Sequence, residues 1–351
     1  MGKLGLVLTG LLLLAVPGAA AGAKRESGAA VVPAAAGLAG RRAAQGAAGA
    51  PRAVAASLLA VTRSGTAFVA ARSDGAAFRS GAGGVVWTVQ QTGGTGALRG
   101  VASQAQYFVA VGDAGRIVQS SDDGLGWSSV GSPTTATLRD VTAHGIYLVA
   151  VGDGGATLRL TAPHAAWDTT TSPGPAPLYG VASNGSILVA VGGAGTVLRS
   201  TDQGLTWSRQ ALPGAPELRG VAAAAANMAI FAAVGLGGVI FRSTDSGSSW
   251  ASVASPTPQD LFDVASDANR FVAVGAVGTI LRGSSTAASG TWVQSGAPVA
   301  VALHGALHDG GSYFYAVGDD EVVLRSQNGT VWLQVPVQAT TWTGVKSLYR
   351  L

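Results

Sequence analysis

Short apolar runs punctuated by glycine recur along most of this chain at nearly constant spacing. One copy shows the pattern clearly: Leu-Tyr-Gly-Val at 178–181, Ile-Leu-Val-Ala-Val-Gly at 187–192, Val-Leu-Arg-Ser at 197–200 and Thr-Trp-Ser-Arg-Gln at 206–210. The first phrase returns at 98–101, 138–141, 218–221, 261–264 and, altered, at 303–306, and the second at 107–112, 147–152, 230–235, 270–275 and 313–318. Runs of four to six Val, Ile, Phe and Tyr residues closed by Gly-Asp or Gly-Gly pairs predict strands joined by tight hairpins, because glycine tolerates the positive φ of such turns. The apolar runs do not alternate, so both faces of these strands are expected to be buried.

Seven tryptophans, Trp87, Trp127, Trp167, Trp207, Trp250, Trp292 and Trp332, mark the period, with gaps of 40, 40, 40, 43, 42 and 40 residues. Four short strands in about 40 residues make one propeller blade. The predicted fold is therefore all-β, a seven-bladed β-propeller of four-stranded antiparallel blades. A blade cannot bury its own faces, and closing the ring removes the two ends that would otherwise expose apolar surface. Trp342-Thr343-Gly344-Val345 repeats the first phrase near the C-terminus and reads as a ring-closing strand of the blade that begins near Ser57. Leu58-Leu59-Ala60-Val61 reads as a first-phrase strand as well, which leaves open the position of the C-terminal strand in that blade.

Between the third and fourth strands lies Ser-x-Asp-x-Gly-x-x-Trp, intact as Ser120, Asp122, Gly124, Trp127; as Ser200, Asp202, Gly204, Trp207; and as Ser243, Asp245, Gly247, Trp250. A shortened copy runs Ser326, Asn328, Gly329, Trp332. Side-chain oxygens accepting turn amides, a left-handed glycine and a tryptophan folded back over the hairpin make this a fold staple. The repeats resemble Asp-box, or bacterial neuraminidase, repeats over about residues 57–351. Within that group the phrasing is most similar to the seven-bladed photosystem II assembly and stability factor family. That resemblance implies a non-enzymatic scaffold that binds membrane-protein intermediates through an arginine-rich surface. Units one, three and six depart from the box at Ala82, Thr161 to His164 and Gly283 to Gly290, so looser outer turns are expected there.

Residues 1–23 carry Lys3, an apolar run from Leu4 to Val16 and a small-residue ending at Ala21-Gly22-Ala23, the pattern of a signal peptide cleaved near Ala23; a retained anchor is the other reading. Residues 24–52 read as a flexible Ala/Gly-rich leader, and 53–351 as the propeller. These features predict a periplasmic or secreted monomer that is not an integral membrane protein. The chain has no cysteine, which excludes disulfides, thiol catalysis and a lipidated cysteine. A formal net charge of +4, with basic residues scattered, does not point to nucleic acid.

Glycoside hydrolysis requires two placed carboxyl groups, and sialidase chemistry requires an arginine cluster with a tyrosine nucleophile. Asp122, Asp202 and Asp245 are explained by the turn motif, and Asp113, Asp153 and Asp319 by the hairpin after the second strand. Tyr107, Tyr147 and Tyr313 share one repeat position held elsewhere by Ile187 or Ile230, as expected of core packing. His304 and His308 have no third ligand nearby, so neither a metal nor any other cofactor is predicted. The second residue of the first phrase reads Arg99, Arg139, Tyr179, Arg219, Phe262, His304 and Thr343 around the ring. Such a mixed basic and aromatic collar suits a protein partner and could hold carboxylates. A second arginine series, Arg79, Arg159, Arg199, Arg242, Arg282 and Arg325, is expected to stabilise the box turns. The expected function is non-catalytic binding of a protein partner, with carbohydrate binding or degenerate hydrolase activity as the alternative and a purely structural module as a third reading.

Overall fold

In a computed structural model, the described residues are 55–161, 165–212, 214, 216–285 and 291–337. They form seven four-stranded antiparallel sheets, each hydrogen-bonded in chain order, strand one to strand four. The innermost strands are Leu58–Arg63, Leu98–Gln104, Leu138–His144, Leu178–Ser183, Leu218–Ala223, Leu261–Ser266 and Leu303–His308, and they number blades 1 to 7. Each packs beside the next, and that of blade 1 packs beside that of blade 7, closing the ring.

The second strands explain the unalternating apolar runs. Leu188–Gly192 and Phe231–Gly235 are buried at every position because neighbouring blades cover both faces. The core is correspondingly divided into seven clusters, one per seam between blades. Between blades 3 and 4, for example, Val149 and Val151 pack against Leu178, Val181, Leu188 and Trp207.

The Ser-Asp-Gly-Trp turns have the expected local chemistry. In blade 4 the Ser200 hydroxyl donates to Asp202 at 2.8 Å and accepts the Gly204 amide at 2.9 Å, while the Thr206 amide donates to Asp202 at 2.9 Å. Gln203 and Gly204 both adopt positive φ, 65° and 83°. The turn also joins two blades. A Cβ at Gly247 of blade 5 would lie 2.7 Å from the Val189 side chain of blade 4, and Arg199 of blade 4 donates through Nε to the Ser246 carbonyl at 2.8 Å. Arg79 makes the same bond to the Asp123 carbonyl of blade 2, at 2.6 Å. The third-strand arginines at 79 and 199 thus steady the turn of the following blade. Arg159 and Arg325 instead lie over Tyr147 and Tyr313.

Blades 1, 3 and 6 keep all four strands despite their altered boxes. Blade 1 even retains the tryptophan bond, Trp87 Nε1 donating to the Gly84 carbonyl at 3.1 Å, as Trp127 does to Gly124. Residues 162–164 and 286–290 of the other two altered turns lie outside the described residues.

The sequence offers two first-phrase segments for blade 1. Blade 1 takes all four strands from residues 58–90, with Leu58–Arg63 innermost, so its sheet is full without the segment Trp342 to Val345, which lies outside the described residues. Its seam with blade 7 is held by side chains. Phe68 meets Tyr315 of blade 7 with ring centroids 4.6 Å apart and buried Arg72 reaches Glu321 of blade 7 at 2.6 Å, while within blade 1 Phe78 stacks on Trp87 at 5.5 Å and Arg72 also pairs with Asp74 at 2.8 Å. Glu321 has φ 57° where all six other blades place glycine. In most of those blades a Cβ would strike the backbone of the loop after the outer strand, as at Gly115, 1.9 Å from the Thr134 carbonyl.

Candidate functional site

An antiparallel strand alternates its side chains, so the second residue of every first phrase projects alike in all seven blades. Their convergence forms a cavity of about 400 Å³ on the ring axis, lined by all seven innermost strands. Arg99, Arg139, Tyr179, Arg219, Phe262 and His304 all line it, and Leu59 takes the seventh place that the sequence pattern gave to Thr343. The collar is two-sided. Arg139 and Arg219 both lie over the Tyr179 ring, with guanidinium carbons 5.7 and 4.3 Å from its centroid. Across the cavity Phe262 stacks on His304 at 5.4 Å, beside Leu59.

Each basic collar residue already has an acid. Arg99 Nε meets Asp113 at 2.5 Å, Arg139 binds both oxygens of Asp153 at 2.9 and 2.8 Å, and His304 meets Asp319 at 2.8 Å. Arg219 pairs instead with Glu217, the residue just before its own strand. The Asp153 bonds hold Arg139 in its charged form, above the usual arginine range. Asp113, Asp153 and Asp319 therefore do more than build the hairpin. The signal was present in the sequence: an acid follows the second strand where the collar residue is Arg99, Arg139 or His304, whereas Tyr179 and Phe262 are matched by Gly193 and Ala276.

Three further carboxyls line the cavity: Asp260, and Asp140 of blade 3 and Asp263 of blade 6, which stand at the third phrase position where most blades carry glycine. Glycine is favoured because the inner strands nearly touch: a Cβ at Gly100 would lie 2.7 Å from the Asp140 Cα, and one at Gly220 2.7 Å from the Asp263 Cα. Asp140 accepts the Val141 amide and, across the seam, the Val181 amide, both at 2.8 Å; Asp263 likewise accepts those of Val264 and Ala306. Burial pushes both carboxyls up to about 7, the amide bonds oppose the rise, and the Asp263 charge adds to that of Asp140. Neither is among the site residues predicted from sequence. The departure from Gly at a position otherwise held by Gly or Ala was the signal that would have found them.

Among the described residues no group of three or more His, Asp and Glu is placed to hold a metal ion. No helix among them is long and apolar enough to cross a membrane.

The fold and this cavity define the chain as a seven-bladed propeller with an axial cavity. No protein-family model and no curated protein matches it. Among solved structures it is similar to "YCF48 bound to D1 peptide", at 17% identity and TM-score 0.63, covering 78% of this chain and 92% of that one. YCF48 from Cyanidioschyzon merolae matches at 17% identity and TM-score 0.65, over 80% and 98% of the two chains. The RRP9 WD40 repeats match at 10% identity and TM-score 0.62, over 76% and 89%. At these identities the likeness establishes the fold.

Proposed function

We propose that this protein is a non-catalytic, exported propeller that holds a segment of a protein partner in its axial cavity, with a scaffold role like that of the photosystem II assembly factors that its repeats resemble. The supporting observation is the contrast in side-chain choice. Seven equivalent positions converge on one cavity, and they carry Leu, Arg, Arg, Tyr, Arg, Phe and His in a molecule that otherwise repeats itself. Aromatic and arginine side chains around a concavity are typical anchors of protein recognition. A similar propeller is described as bound to a peptide, which agrees with this reading.

The test is affinity capture from an envelope extract with the full chain and with a variant that dismantles the stack, Arg139→Ala, Tyr179→Ala and Arg219→Ala. Arg79→Ala, at the rim, serves as control. A discrete protein retained by the parent and by Arg79→Ala but lost from the stack variant supports the reading. Retention by the stack variant, or enrichment of glycans alone, overturns it.

A further inference from the structure

Counting the acids around the cavity reverses the first impression given by its arginines. Arg99, Arg139 and Arg219 are its guanidinium groups, and each is already engaged by Asp113, Asp153 or Glu217. His304 has Asp319. Three more carboxyls, Asp140, Asp260 and Asp263, line the cavity. Asp260 accepts the Gly237 amide at 2.7 Å. No ion pair is found for Asp140 or Asp263 among the described residues; backbone amides are their hydrogen-bond partners. A carboxylate entering here would meet Asp140, Asp260 and Asp263 on the wall and three guanidiniums already occupied by acids. A cation would meet two carboxyls lacking a countercharge, beside the walls formed by Tyr179 and Phe262.

We propose that the cavity receives a cationic side chain of the partner segment, a lysine or arginine, with its charge at Asp140 and Asp263 and its aliphatic stem along the Phe262 and Leu59 wall. This rests on the axial cavity being the partner site and assigns the chemistry of what enters it. The arginines then act as walls and as donors to the segment's backbone carbonyls, with Tyr179 fixed between two of them. A carboxyl set in a half-buried cavity wall resists ionisation until a cation is near, so binding of the cation and loss of the carboxyl protons reinforce one another. Other charged groups on the cavity wall, Arg99, Arg139, Arg219, Asp260 and His304, bear on the same equilibrium, so the aspartates must be tested directly.

The test is calorimetric titration of the full chain with three amidated, acetylated peptides, Gly-Phe-Lys-Phe-Gly, Gly-Phe-Gln-Phe-Gly and Gly-Phe-Glu-Phe-Gly. The lysine peptide is expected to bind at least about tenfold more tightly than the glutamine peptide, with the glutamate peptide weakest. Its affinity rises from pH 6 to 8 with proton release, whereas that of the glutamine peptide does not. Asp140→Asn with Asp263→Asn, checked for an unchanged circular dichroism spectrum, abolishes the lysine preference. A glutamate peptide that binds as well as the lysine peptide overturns the proposal, as does a lysine preference that survives both substitutions or the absence of binding by all three. The peptide comparison needs only the unmodified protein, so it stands even where the double variant misfolds. The partner-site reading is judged separately, by the stack variant.

Discussion

The outer rim and the axial cavity use the same residue types, aspartate and arginine, to opposite ends. At the rim Asp122, Asp202 and Asp245 repeat one arrangement, accepting turn amides and hydroxyls. On the axis no two adjacent collar pairings are alike beyond Arg99 and Arg139, and Asp140 and Asp263 stand at positions that other blades leave to glycine or alanine. The two sets of carboxyls are also tuned in opposite directions. Amide bonds from Gly126 and the Ser120 hydroxyl hold Asp122 below the usual carboxylate range, whereas burial lifts Asp140 and Asp263 to about 7. Repetition marks what every blade needs in order to fold; departure from repetition marks what the ring does as a whole.

The contrast breaks most visibly at the rim. Trp250→Ala empties a seam cluster that includes Phe231 and Val221, and is expected to cost about 3–5 kcal/mol in urea unfolding while leaving the cavity residues in place. Next, Asp202→Ala removes the acceptor of the Thr206 amide and the Ser200 hydroxyl in a solvent-exposed turn, for a loss of about 0.5–1.5 kcal/mol by the same measurement.

The pH dependence sharpens the comparison. Between about pH 4 and 7 the folded protein keeps protons on Asp140 and Asp263 that the unfolded chain has released, so their contribution to stability falls as pH rises through this window. The rim aspartates work the other way: their contribution is present above their ordinary value and is lost on acidification below about pH 4. His144 and His308, both lowered by burial, lose stability as pH falls through their usual range, so the axial term is best isolated by difference. The stability of the parent minus that of Asp140→Asn with Asp263→Asn should decline from pH 4 to 7 and then level off, measured by denaturant melts at each pH.

Smaller effects test the turns and the collar. Val277 holds φ 54° at an exposed turn where other blades use Ala, Gly or Asp, and a β-branched residue is disfavoured there. Val277→Gly is expected to raise stability by about 1 kcal/mol in thermal and urea melts. Arg219→Ala removes a half-buried ion pair and should change stability by less than about 1 kcal/mol, so that a large loss would make the collar a structural element.

The fold was legible because period, glycine and tryptophan all report on blade packing, and every blade repeats them. The collar was legible for the same reason, as a column in a repeat. Pairings across that column were harder to see. The join between Arg139 and Asp153 depends on a turn that brings residues fourteen apart together, and the reach of Asp140 to Val181 depends on how closely neighbouring inner strands approach. Closure was only half legible, because Trp342-Thr343-Gly344-Val345 and Leu58-Leu59-Ala60-Val61 both copy the phrase; Leu58–Arg63 fills the innermost place, and 342–345 lie outside the described residues.

Because the strands of each blade are contiguous in the chain, no described sheet is shared between the two ends of the propeller. Considered as a mechanical object, the ring has one joint of a different kind. Tension applied between residues 58 and 334 would load the Phe68–Tyr315 contact and the Arg72–Glu321 pair, where a ring stitched by a common sheet would load a row of backbone hydrogen bonds in shear. The same contiguity lets the chain be cut in any loop between blades and rejoined at the old seam without dividing a sheet, so circularly permuted forms should retain all seven blades.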